Sequence, residues 1–418
     1  MRPRWVVPVA VGAVVLLVAT VVLALLRRAG DGDGRPAPPP PAYDPPGAFA
    51  TGSGVPLPRE LDGSPIPAVL NGFDLVAALP SGLQVLDTRT GTVRAWVAPG
   101  ERTGTSTPPR APVIVRLDGR SLVVGAFRVE VPGHGTTMGH DAVEVIAVDT
   151  AGYGRAAGAR IDLSPSLSEA GRLRSAWVVG SGSDPQTRPV LVVTTEAGPE
   201  RRPVSYGVDL SAGRVRWQAD GFAAAAVTGG LAVGAQRVTG GQQLGAVRLA
   251  DGRRAWVSGT ATGSVTAWPA GPAVVAGLAV SAGNGERTLS LVETAGGRVL
   301  RRRSVGSGVT CRFDGRQTTV CSSGTAGSAW ATGFDASTGR SLWELPDAAA
   351  GRVAPEVGAV WHGVAYGSTT NGPVALDART GSDRPRSPGV TPDLVNAYVG
   401  VVAADLEHPR PSAHLAVP

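Results

Sequence analysis

Two cysteines and five histidines carry most of the chemistry open to this chain, and their spacing narrows it. Cys311 and Cys321 flank a turn centred on Arg316, so on a regular hairpin they face each other across two strands. A disulfide needs Cβ atoms about 3.8 Å apart, which a non-hydrogen-bonded cross-strand pair approaches. A stabilising bridge is expected, with two free buried thiols as the alternative. Such a bridge belongs outside the cytoplasm. His134, His140 and Asp141 are the one place where two imidazoles and an acid lie close in sequence. On a Gly-rich loop they could ligate a metal, but no third or fourth ligand follows at useful spacing. An ordinary solvated loop is the simpler account. His362 falls in a turn, and His408 and His414 near the chain end, with no Ser and Asp placed as a triad needs. No Gly-rich phosphate loop follows a strand and opens a helix, so nucleotide binding has no support. No catalytic, cofactor or metal residue is assigned, and no cofactor is expected.

The elements that would position these groups are short strands joined by a recurring corner. Its clearest copy is Phe334-Asp335-Ala336-Ser337-Thr338-Gly339-Arg340-Ser341-Leu342-Trp343. The Asp carboxylate can accept backbone N–H groups inside the turn, and Gly takes the left-handed conformation that closes it. The indole then stands on the outgoing strand, large enough to fill space between packed sheets. Asp87 to Gly91 leads to Trp96, Asp209 to Gly213 leads to Trp217, and Asp251-Gly252 leads to Trp256. Asp377 to Gly381 repeats the turn without an indole, and weaker copies run Asp149 to Gly152 and Glu293 to Gly297. The marker glycines 91, 152, 213, 252, 297, 339 and 381 are spaced 61, 61, 39, 45, 42 and 42 apart. That is the period of four-stranded propeller blades.

Composition agrees. Glycine (58) and proline (35) are plentiful and the remainder is rich in Val, Ala, Leu and Thr, which suits short strands and sharp turns. All 39 basic residues are arginine, interspersed with acids to a net charge of +6, so no nucleic-acid surface is indicated. The fold class is all-β: a propeller of four-stranded antiparallel blades, eight favoured and seven the alternative, behind one N-terminal transmembrane helix. The eighth unit begins at Pro392 and runs to Ala413–Val417 but lacks an outer strand. Ala48–Leu57 could supply it and latch the ring.

Trp5 to Leu26 is an uncharged, mostly apolar run of 22 positions, enough to cross ~30 Å of hydrocarbon, with no cleavage site before Arg27-Arg28. The expected domains are a cytoplasmic tail (1–4), the transmembrane helix (5–26), a Gly/Pro-rich linker (27–46) and the propeller (47–418). Arginines flank both ends of the apolar run, so charge orients it poorly.

With these residues in view, the chain resembles the PQQ-like (quinoprotein alcohol dehydrogenase-like) β-propeller repeat family. The family's Ala-Leu-Asp-Ala-x-Thr-Gly hairpin is matched by Ala375 to Gly381 and by the Asp335 to Trp343 stretch, and the resemblance covers roughly 66 to 405. It is specific for fold and unspecific for activity. Enzymes of the family carry adjacent cysteines against the quinone and hold Ca²⁺ with carboxylate and amide groups. Here the cysteines are ten positions apart and no acidic cluster has ligand spacing.

The longest insertions, Pro99–Pro112, Pro132–Ala142, Tyr153–Arg172 and Glu196–Pro203, are expected on one face over blades 1 to 3. Arg102, His134, His140, Asp141, Arg155 and Arg201 are the candidate partner contacts there. Drift in loop length is the alternative. The expectation is a monomeric, non-catalytic binding, scaffold or sensing module. It would be anchored in the cell membrane by one helix, with its propeller extracytoplasmic and a cell-envelope protein as partner. The resemblance implies a setting similar to that of the propeller lipoprotein of outer-membrane assembly. The alternative is a quinoprotein-type oxidoreductase or a propeller hydrolase of unknown substrate.

Overall fold

The computed structural model describes residues 41–52, 54–62, 65–103, 110–163, 173–182, 189–324, 329–404 and 409–418. The tail 1–4, the Trp5–Leu26 span and the linker to residue 40 lie outside these. Among the described residues no helix is long and apolar enough to cross a membrane. One compact unit begins at Ala42 and runs to Pro418.

That unit is an eight-bladed propeller. Blades 1 to 7 span 68–97, 113–162, 173–220, 222–262, 264–305, 309–345 and 356–377, each an antiparallel meander from the inner strand outward. Blade 8 takes Leu394–Val395, Val399–Val402 and Ser412–Val417 from the C-terminus and its outer strand from the N-terminus. Ala48 pairs with Val417 and Phe49 with Ala416, then Val55 with Ala413 and Pro56 with Ser412. The pairing register shifts between Phe49 and Val55. His414 is buried at this shift. Its Nδ1 lies 2.9 Å from Ala50 O, its Nε2 lies 2.9 Å from Ser412 Oγ, and Gly54 covers the ring.

Eight apolar clusters hold the described ring together, one between each pair of neighbouring blades. The interface of blades 1 and 8, for example, joins Leu75, Ala77 and Leu86 to Val399, Val401 and Ala413. Alternating strand residues supply both faces of every sheet.

The corners form as their residues dictate. Asp335 Oδ1 accepts the backbone N–H groups of Ser337 (3.1 Å) and Thr338 (3.0 Å) and both their hydroxyls. The Ser337 hydroxyl, first among these bonds, holds the carboxyl far below the usual aspartate range. Gly339 donates to Asp335 O at 2.8 Å from the left-handed region, φ +67°. The indoles then bind the next blade. Trp217 Nε1 donates to Leu249 O (2.7 Å), Trp256 to Thr294 O (2.8 Å) and Trp343 to Ala378 O (2.7 Å). Each ring lies flat on that blade's corner glycine. A Cβ at Gly252, Gly297 or Gly381 would stand 2.8, 2.6 or 2.6 Å from it.

Two expectations about corners need correction. Trp96 stands five residues past its glycine where the other indoles stand four, so strand alternation turns it outward and it is 44% exposed. Ala95 takes the inward position instead. On blade 2 the left-handed residue is Tyr153 (φ +55°), whose N–H bonds Asp149 O at 2.8 Å, not Gly152. The tyrosine ring occupies the room that Ala95 leaves, within the cluster between blades 1 and 2. Its hydroxyl donates to Asp74 Oδ2 (2.8 Å) and accepts from Asn71 Nδ2 (2.9 Å).

Blade 7 has only three regular strands. Past its corner come Pro385 and Pro388, which cannot donate to a ladder. A single bridge from Leu376 to Asp383 and one bond from Arg384 N–H to Ala375 O (2.8 Å) replace the fourth.

Candidate partner-binding face

In such meanders the turns between second and third strands share one face with the connections between blades; we call this the hairpin face. Corners and first-to-second turns share the other, the corner face.

Blade 2 rises on the hairpin face because its middle strands are long. Arg120–Val131 (12 residues) pairs without a break to His140–Asp149 (10 residues), whereas both middle strands of blade 1 have 6. The extension is a hydrogen-bonded ladder up to the pair Val131 and His140, so of the expected loop Pro132–Ala142 residues 132–139 form the tip and His140–Ala142 belong to the strand. A two-way bond between His134 and Thr137 closes the tip (N–H to O, 3.0 and 2.9 Å). Met138 stands there 84% exposed. Blade 3 follows with Val190–Ala197 and Arg202–Asp209, 8 residues each as in the middle strands of blade 4, so only 198–201 remain of the expected loop Glu196–Pro203. Arg201 occupies its tip with φ +47°.

The expected contacts separate on this frame. His134 and Arg201 lie at the two tips, and His140 follows the first, 3.8 Å from Asp162 Oδ1. Arg102 belongs to a two-residue strand that pairs with Glu130 and Val129 beside them. Asp141 lies beneath the face, fully buried. Arg128 donates to its Oδ1 through Nε (3.1 Å) and Nη2 (2.9 Å), and Leu173 N–H reaches Oδ2 at 3.2 Å. This carboxylate ties blade 2 to the entry of blade 3. Arg155 is not with the others. The described part of Tyr153–Arg172, residues 153–163, is mostly the outer strand Arg155–Asp162, and Arg155 begins it at the corner end, where it donates to Glu144 Oε1 (2.5 Å). Both Glu144 oxygens also accept Gly100 N–H, which pins the connection from blade 1. Residues 104–109 and 164–172 of these stretches lie outside the described residues.

Two features had no signal in the sequence. The Arg110 guanidinium stacks 3.8 Å above the Trp177 ring, and Ser175 Oγ donates to Glu196 Oε2 at 3.0 Å. Both join residues far apart in sequence with no periodicity to mark them.

Elsewhere the chemistry is structural. Cys311 and Cys321 are cross-strand partners and form the expected disulfide, buried between blades 5 and 6. Ser412 and His414 make a Ser–His hydrogen bond that the sequence reading did not identify. The third partner is a backbone carbonyl rather than a carboxylate, and the ring is covered by the closing strand. Among the described residues no three His, Cys, Asp or Glu side chains gather where a metal could sit. A cavity of about 410 Å³ opens among the inner strands of blades 2 to 4, lined by Val113, Ile114, Arg116, Val179, Ser181 and Val227.

No family model and no curated protein sequence matches the chain. Among solved structures it is similar to the computationally designed Ika8 protein at 12% identity, over 83% of this chain and 95% of that one, with a TM-score of 0.49. Quinohemoprotein alcohol dehydrogenase from Comamonas testosteroni is similar at 10% identity, over 87% and 75% of the two chains, with a TM-score of 0.48. The dihydro-heme d1 dehydrogenase NirN follows at 14%, 84% and 75%, with a TM-score of 0.46. These are likenesses of propeller fold at low identity.

Proposed function

We propose that this propeller is a non-catalytic protein-binding module of the cell envelope, tethered to the membrane through its N-terminal apolar segment and displayed outside the cytoplasm. The observation that carries the reading is the tall hairpin on blade 2, whose middle strands of 12 and 10 residues exceed the 8 of blades 3 and 4. A hydrogen-bonded ladder holds its tip far more firmly than a loop of equal length, which lowers the ordering cost of binding. An apolar anchor with polar neighbours on the same hairpin, Met138 with His134 and His140, suits a protein surface. The Cys311–Cys321 bridge favours an oxidising compartment.

The test is affinity purification from envelope extracts with the full chain and with a chain whose residues 132–139 are replaced by Asn-Gly, a two-residue hairpin turn. A partner captured by the first should be absent with the second at unchanged melting temperature. Equal capture would remove the hairpin from the proposal. Dye reduction coupled to oxidation of an added primary alcohol or aldose, on addition of PQQ and Ca²⁺, would replace the proposal with an enzyme.

A further inference from the structure

Before its first strand the chain lays residues 43–46, Tyr-Asp-Pro-Pro, over the turns of blades 6, 7 and 8 on the corner face. Three donors from two blades converge on the Asp44 carboxylate. Arg316 Nη2 reaches Oδ2 at 3.0 Å, Trp361 Nε1 donates to Oδ1 at 3.2 Å, and His362 Nδ1 bonds the same oxygen. The Trp361 and His362 rings stack with centroids 4.0 Å apart, which keeps both donors on one side of the carboxylate. His362 is held in the left-handed region (φ +44°), its N–H on Asp314 O at 2.7 Å, a conformation that costs a non-glycine residue free energy. Main-chain bonds fix both ends of the segment. Tyr43 N–H donates to Ala397 O (2.8 Å) and the Tyr366 hydroxyl donates to Pro46 O (2.7 Å). Pro46 is buried.

These are the parts of a peptide-recognition site: a charge-assisted clamp on an acidic side chain, a covered proline, and backbone bonds on either side. Backbone bonds alone would tie down a chain end. The converging donors add selection for a carboxylate, and the left-handed residue stands where the selection is made. We propose that the turns of blades 6 to 8 form a binding site for bent, proline-bearing acidic peptides, which the chain's own residues 43–46 fill in cis. Tethering gives the resident segment an effective concentration in roughly the millimolar range, so a partner's peptide enters when that segment is withdrawn. The site lies on the face opposite the hairpins and does not depend on them.

The test vacates the site in the full chain by Tyr43→Gly, Asp44→Ser, Pro45→Gly and Pro46→Ser, then titrates fluorescein-labelled Tyr-Asp-Pro-Pro amide. Anisotropy should rise and saturate. Binding should weaken roughly tenfold or more for the peptide with Asn in place of Asp, and for the vacated chain carrying Arg316→Gln. The unaltered chain, its site filled, should bind the peptide weakly by the same measure. Equal binding of the Asn peptide, or none to a vacated chain that still melts cooperatively, would overturn the proposal. If the four substitutions prevent folding, Asp44→Asn alone decides: amide exchange at Tyr43 should quicken roughly tenfold, and unchanged exchange would overturn it.

Discussion

Tyr153 shows how one side chain can replace a repeat's rule. At the corners of Gly252, Gly297 and Gly381 a left-handed glycine leaves space for an indole; here a tyrosine accepts the unfavourable backbone region and fills that space itself. Burial, opposed by its bond from Asn71, pushes the phenol up from 10.0 to about 12. The folded state therefore favours the neutral ring. Its contribution is complete below about pH 10 and is lost as pH rises through about 12. Two pH units correspond to roughly 2–3 kcal/mol. Urea unfolding between pH 9 and 12 should show the unaltered chain losing about 2 kcal/mol more than Tyr153→Phe. Parallel curves would mean that the phenol is not held as described. Tyr206 and Tyr366, also raised by burial, contribute equally to both chains and cancel.

At the scale of the strand and its corner, the indoles sort by register. Trp217, buried and bonded to Leu249, should cost about 3–5 kcal/mol on change to Ala. Trp96, on the outward side of a similar strand, should cost within about 0.5 kcal/mol. Thermal melts of the two variants check this, and similar losses would refute the register argument. The blades were legible in the sequence because each corner is local chemistry: an Asp, a glycine and the three residues between them specify the turn wherever they occur. The disulfide was legible for the same reason, with ten residues closing one hairpin. Eight blades and the borrowed outer strand followed from counting. What escaped was set by packing across long separations. How far the blade 2 ladder reaches before the loop at 132–139 depends on the pairing of 120–131 with 140–149, and Tyr153 is chosen by Ala95 of the preceding blade. The convergence of Arg316, Trp361 and His362 on Asp44 spans 272 to 318 positions and left no periodic trace.

For the whole molecule, the ring depends on its two ends meeting. Deleting residues through Leu57 removes Phe49 from the blade 7–8 cluster and Leu57 from the blade 1–8 cluster, and bares the edge of Ser412–Val417. Such a truncated chain should lose its single cooperative transition in calorimetry and self-associate through that edge, seen as mass growth in light scattering. A monomer with an unchanged melt would mean that the other seven blades close without the latch. The pairing of Ala48 with Val417 also fixes a timetable. During synthesis residues 48–49 must wait until residues 416–417 have been added, roughly 20–80 s at ordinary elongation rates. For that interval the nascent protein is an open arc with apolar surface at each end. A folding helper that shields an unfinished arc would therefore matter more to this protein than to one whose neighbours in space are neighbours along the chain.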